Sequence, residues 1–135
     1  MKYLKTYKLF ESDNKEVLNN IEEIFREISD VGFTVEYNRG GVDELLKIYI
    51  EKFDVYGFDN EPRDVKYYPT EEFVNAFLHL KSYVEESNLS YRIEILDDSE
   101  VVDVLSTESD IEGIINLSSP ISYIKVIIYS NDEIS

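Results

Sequence analysis

The chain has 135 residues, 29 acidic against 13 basic, for a formal net charge of −16. That balance argues against direct binding to nucleic acid or anionic membranes, which need neutralising Lys and Arg, and the absence of cysteine rules out disulfides and thiolate metal sites. With 43% hydrophobic residues, eleven Tyr and seven Phe, the composition is that of a folded chain, and the length that of one α+β domain, 1–135.

The N-terminal segment Lys2–Phe10 alternates loosely and reads as an edge strand or a targeting peptide. Lys2, Lys5 and Lys8 interrupt its apolar residues, so no secretory signal is expected. Ser12-Asp13-Asn14, with Glu16 three residues after Asp13, signals a helix start. Val17, Leu18, Ile21, Ile24, Phe25, Ile28 and Val31 then fall at helical spacing, and Gly32 sits at the expected C-terminal cap. The spacing predicts strands at 33–37 and 46–50, joined as a hairpin through Asn38-Arg39-Gly40-Gly41.

A polar-aromatic connection, 54–68, leads to a second helix, with Pro69 at its first position and Glu71 and Glu72 in its first turn. Its apolar stripe is Phe73, Phe77, Leu80 and Val84, and Asn88 marks its end. Tyr91, Ile93 and Ile95 alternate as a strand. Residues 101–105 are ambiguous but fit a short strand, Thr107–Asp110 resembles a capping box opening a short helix, and Tyr123–Tyr129 alternates as the last strand. This order predicts a two-layer sandwich with two helices on one face of a mostly antiparallel sheet. It is either a duplicated αββ order or, if 3–9 is a strand, ferredoxin-like.

No residue set specifies catalysis, so no catalytic residue, cofactor or metal is expected. His79, the single histidine, lies roughly 120° off the apolar stripe of its helix and reads as exposed. The acidic loops holding Asp54, Asp59, Glu61 and Asp64, and Asp97, Asp98, Glu100 and Asp103, lack the spacing of a calcium-binding EF-hand loop. Tyr49, Tyr91, Tyr123 and Tyr129 suggest an aromatic sheet face of the kind that stacks bases, but without the basic surroundings that RNA binding requires.

The distinctive feature is a row of acids on the solvent side of the first helix: Glu16, Glu23, Glu27 and Asp30. Glu23 and Glu27 repel by a few tenths of a kcal/mol, and Asp30 opposes the helix dipole. Together with Asp97, Asp98, Glu100 and Asp103, the row is a candidate surface for a basic protein partner, imitating a phosphate backbone. An open sheet face and an exposed edge would also permit a homodimer.

Met1-Lys2-Tyr3-Leu4-Lys5-Thr6-Tyr7-Lys8-Leu9-Phe10-Glu11 resembles the capsid-targeting peptide of small proteins from large tailed bacteriophages. The resemblance implies a phage accessory protein in the host cytoplasm, packaged in the virion if the peptide acts as a signal, with Glu11 as the processing site. Three functions follow as expectations. The first is a binding protein that engages a basic host or phage protein and inhibits a defence or nucleic-acid-binding factor. The second is an internal virion or assembly protein. The third is an enzyme or small-ligand binder using the 54–68 loop.

Overall fold

The computed structural model describes the backbone of residues 2–55 and 62–130 and the side chains of 15–54 and 63–130. In chain order these form helix α1 (Lys2–Asp30), strands β1 (Thr34–Arg39) and β2 (Glu44–Glu51), a small hairpin β3 (Phe53–Val55) and β4 (Pro62–Asp64), and helix α2 (Glu71–Glu86). Strands β5 (Leu89–Asp97) and β6 (Glu100–Leu105), a short helix α3 (Glu108–Glu112) running into a 3-10 turn, and β7 (Tyr123–Ser130) complete the order. The main sheet has the order β1-β2-β7-β5-β6, and every neighbouring pair is antiparallel. This is the expected α+β sandwich. Of the two orders the sequence allows, the duplicated helix–strand–strand order is present.

Lys2–Phe10 is helical, not an edge strand, and α1 runs unbroken through the Ser12-Asp13-Asn14 start signal. The reason lies in the spacing: Tyr3, Tyr7 and Phe10 sit in the same three-and-four rhythm as Val17, Ile21, Ile24 and Ile28, with polar Asn14 filling one position of the stripe. The end of α1 matches expectation. Gly32 adopts φ 101°, its N–H bonds to the Ser29 carbonyl (3.1 Å), and the Phe33 N–H bonds to the Ile28 carbonyl (3.4 Å), which together make a Schellman cap. Helix α2 begins at Glu71 with Thr70 as N-cap, so Pro69 precedes the cap rather than opening the helix. Thr107 and Asp110 form the expected capping box of α3.

In the β1–β2 hairpin, Gly40 is required by close approach, because a Cβ there would lie 2.4 Å from the Glu44 carbonyl oxygen. The strand β6 and the β3–β4 hairpin settle the two stretches that periodicity alone left open or read as loop.

The helices cover one face of the sheet. Ile21, Ile28, Leu80, Ile48, Ile50, Ile93, Ile95, Ile124, Val126 and Ile128 are all fully buried between the layers. At the centre runs a chain of rings. Phe25 meets Phe77 edge-on at 5.9 Å, Phe77 meets Phe73 at 6.1 Å, Phe73 meets Phe33 at 4.8 Å, and Phe33 meets Tyr67 at 5.0 Å. The Tyr67 hydroxyl donates to the Ile50 carbonyl, which satisfies the one polar atom in the chain of rings. Burial pushes that phenol's pKa far above its usual value. The Phe25–Phe77 contact and the Asn20 Nδ2 bond to the Tyr83 hydroxyl (3.2 Å) show that α1 and α2 run antiparallel.

Because Phe77 is fully buried and touches two other rings, Phe77→Ala should lower unfolding free energy by about 3–5 kcal/mol. Urea titration followed by circular dichroism measures it. A loss below about 1 kcal/mol would mean the rings are not the core they form here.

Candidate functional site

The expected acids divide into two separate groups. Glu16, Glu23, Glu27 and Asp30 are exposed along one side of α1, at successive offsets that keep them within a stripe about 60° wide and roughly 21 Å long. Asp97, Asp98, Glu100 and Asp103 lie at the β5–β6 turn and on β6, the sheet edge opposite β1. α1 sits over β1 and β2, and α2 sits over β5. Four strand spacings separate β1 from β6, roughly 19 Å. The structure therefore does not bring the eight acids into one surface.

The second group is also partly occupied by the fold itself. Lys66 Nζ bridges Asp97 (2.9 Å) and Asp98 (3.3 Å). Asp97 also accepts from the Ser122 hydroxyl (3.2 Å), whose Oγ takes the Asp98 backbone N–H (3.0 Å). The hydrogen bond from Lys66 holds the Asp97 carboxyl below its usual pKa. These bonds pin the β5–β6 turn to the start of β7. Asp103 accepts the Val104 N–H.

The α1 row is freer, and α2 extends it. Glu23 pairs with Arg26 (2.8 Å) at an exposed site, where such a pair contributes little. Glu16, Glu27 and Asp30 have no ion-pair partner among the described residues. Across the antiparallel neighbour, Glu71, Glu72, Glu85 and Glu86 add carboxylates. With Glu22, the outward side of the two helices carries nine carboxylates from residue 15 onward, against Lys15, Arg26 and Lys81. Glu22 and the four α2 acids were missed as site residues because only their position beside α1 makes them part of one surface. His79 is exposed on α2, as its offset implied.

The opposite face of the sheet is different. Neither α1 nor α2 packs on it, and β4 reaches its rim, where Asp64 shares a hydrogen bond with Glu51. Tyr49, Tyr123 and Tyr129 point there, with Tyr49 and Tyr123 at 6.0 Å, while Tyr91 lies on the helix side with Ile93 and packs against the core. Three cations, Lys47, Arg92 and Lys125, share that face, so the basic neighbours that the sequence seemed to lack are present. They are interleaved with Glu36, Glu44, Glu51 and Glu94, which removes the positive field an RNA-binding face requires.

Hollows open on the surface, two of which border these groups. One, about 530 Å³, lies where β6 stops short of the start of β5 and is lined by Lys81, Glu85, Ser90, Tyr91, Arg92 and Leu105 among others. The other, about 370 Å³, is lined by Glu51, Asp64, Lys66, Asp98, Ser122 and Tyr123 among others. Among the described residues no three His, Asp or Glu side chains come together as a metal site; Asp59, Glu61 and the side chain of Glu11 lie outside them. Nor, among the described residues, is any helix long and apolar enough to cross a membrane. The chain matches no protein family model, no curated protein and no solved structure.

In the second hollow, burial raises the Glu51 carboxyl's pKa, and Asp64, through its charge and a shared hydrogen bond, raises it further. A carboxyl whose pKa is raised by folding binds protons more tightly in the folded state, so its ionisation above that range costs stability. Glu51→Gln should therefore raise the melting temperature at pH 7, with the gain shrinking as pH falls to about 4. Paired thermal melts at the two pH values measure this; an equal or larger gain at the lower pH would contradict it.

Proposed function

We propose that the chain is a binding protein whose acidic helix layer engages a basic protein surface. The observation that supports this reading is the outward side of α1 and α2, where, among the described side chains, nine carboxylates stand against three cations. A surface selected only for solubility intersperses both signs. Here the row Glu16, Glu23, Glu27 and Asp30 tolerates like-charge neighbours and an unfavourable charge at the helix C-terminus, and no basic residue occupies the last turn of either helix.

Charge density narrows the partner. Duplex DNA carries one negative charge per ~1.7 Å of its axis. The α1 row carries four over roughly 21 Å, and it acquires a second rank of carboxylates only by including α2. The layer is too sparse to copy a duplex phosphate by phosphate. It suits a basic helix or groove that reads a broad negative patch. The N-terminal resemblance to phage targeting peptides supports a bacteriophage setting, with the partner a host or phage protein. Glu11 falls within α1, so processing after it would first require that turn to open.

The test is an affinity pull-down from bacterial lysate at low and high salt, comparing the wild-type chain with the fourfold reversal Glu16→Lys, Glu23→Lys, Glu27→Lys, Asp30→Lys. A basic partner should be retained at low salt, be lost at high salt because exposed charge pairing is screened, and bind the reversed chain about tenfold more weakly or less. Unchanged capture by the reversed chain would sink this reading.

A further inference from the structure

We infer that the uncovered face of the sheet seats a second copy of this chain, the two sheets stacking face to face. The strand registers arrange this face in rows. Across one row lie Glu36, Tyr49, Lys125 and Glu94, paired in register on β1, β2, β7 and β5. Across the next lie Asn38, Lys47, Ile127 and Arg92.

Charge decides which side of the molecule can meet its own copy. The helix layer, with nine carboxylates against three cations, repels itself. On the open face three cations meet four carboxylates, a net of −1 in a chain of −16. Among the described residues it is the broad face that carries almost none of the self-repulsion.

The pattern is also self-complementary. A closed dimer pairs the same patch on both copies. A two-fold axis lying across the strands, midway between the two rows, sets each row over the other row of the second copy. Tyr49 then faces Lys47, a cation over a ring. Glu94 faces Arg92. Lys125, which has no ion-pair partner among the described residues, lays its stem on Ile127. One row further out, Tyr123 meets Tyr129. The single like-charge meeting, Glu51 with Glu44, falls at the rim.

Ile127 and Leu96 of this face are only 5% and 6% exposed and stand apart from the main core, so what a second copy covers is the half-buried Tyr49, Tyr123 and Tyr129 and the aliphatic stems of Lys47 and Lys125 around them. The five strands, of six to nine residues, give the face roughly 600 Å² in projection, near the ~800 Å² per partner of a standard interface.

The experiment is sedimentation equilibrium of the full chain from about 1 μM to about 1 mM. It compares wild type with Arg92→Glu, Glu94→Arg and the double swap Arg92→Glu/Glu94→Arg, each checked for folding by circular dichroism. Each single reversal places like charges opposite each other and should weaken dimerisation about tenfold or more, and the swap should restore it to within about threefold. Lys47→Glu should act like the single reversals if either of those fails to fold. Asp103→Lys, on the exposed β6 edge but on the helix side of the sheet beside Ile95, should leave the dimer intact. A wild-type monomer throughout the range overturns the inference. So does a dimer that Asp103→Lys dissolves and the face reversals do not, since that pattern marks edge-to-edge pairing. Neither result bears on the basic-partner reading, which concerns the opposite face.

Discussion

The chain of edge-on rings from Phe25 through Phe77, Phe73 and Phe33 to Tyr67 is the constraint on which everything else rests. Each ring belongs to a different part of the fold or links two parts. Phe25 comes from α1, Phe73 and Phe77 from α2, Phe33 from the turn into β1, and Tyr67 from the approach to α2, with its hydroxyl tied to β2 through Ile50. Removing any one leaves a helix without a fixed seat on the sheet. The magnitudes explain why α1 can carry so poor a surface. Like-charge neighbours such as Glu23 and Glu27 cost a few tenths of a kcal/mol. Burying Ile21, Phe25 and Ile28 contributes about 1.5–3 kcal/mol each. Packing outweighs electrostatics by several-fold, so the outer side of α1 is free to be acidic without the helix being lost.

The sheet divides its charge by the same strand alternation that builds the core. Along β2, β5 and β7 alternate residues such as Ile48, Ile50, Ile93, Ile95, Ile124, Val126 and Ile128 face the helices, and the residues between face outward mainly as Lys, Arg, Glu and Tyr, with Ile127 and Leu96 as apolar exceptions. Placing β7, the last strand in the chain, between β2 and β5 brings Lys125 next to Tyr49 and Glu94. A register irregularity at Glu44/Leu46 lets Leu45 and Leu46 both join the core where strict alternation would expose one of them. The second hydrophobic residue gained there closes the sheet beside the Gly40 turn.

Much of this was legible in the residues. The α1 stripe, the Gly32 cap, the hairpin turn, the α3 capping box and the alternation of β7 all follow from local rules, because each depends on residues a few positions apart. The elements that were misread or missed depend on longer range. Ser12-Asp13-Asn14 looks like a helix start until the stripe through Tyr3, Tyr7 and Phe10 is seen to continue across Asn14. The β3–β4 hairpin has strands of three residues, too short to show a period. That Lys47, Arg92 and Lys125 share one face depends on the strand order, and no local pattern states that order. In the same way, joining the α1 row to the 97–103 acids treated two patches as one because both are acidic in sequence, although the sheet holds them at opposite flanks.

The two faces have consequences for each other. Two copies stacked through their sheets place the helix layers outermost, with two sheets about 10 Å apart between them and a helix layer of about 10 Å on each side. The acidic surfaces then stand roughly 30 Å apart, against a Debye length near 8 Å at physiological ionic strength. Their mutual repulsion is screened almost completely, so the charge proposed to engage a basic partner does not oppose a dimer formed through the other side. Such a dimer presents two equivalent acidic layers facing away from each other. A partner with one basic site would be bound twice independently, and a partner with repeated basic sites would be held with an avidity that neither copy has alone. Concentrating the negative charge on the helices and balancing it on the sheet would keep the two proposed interactions compatible in one small domain.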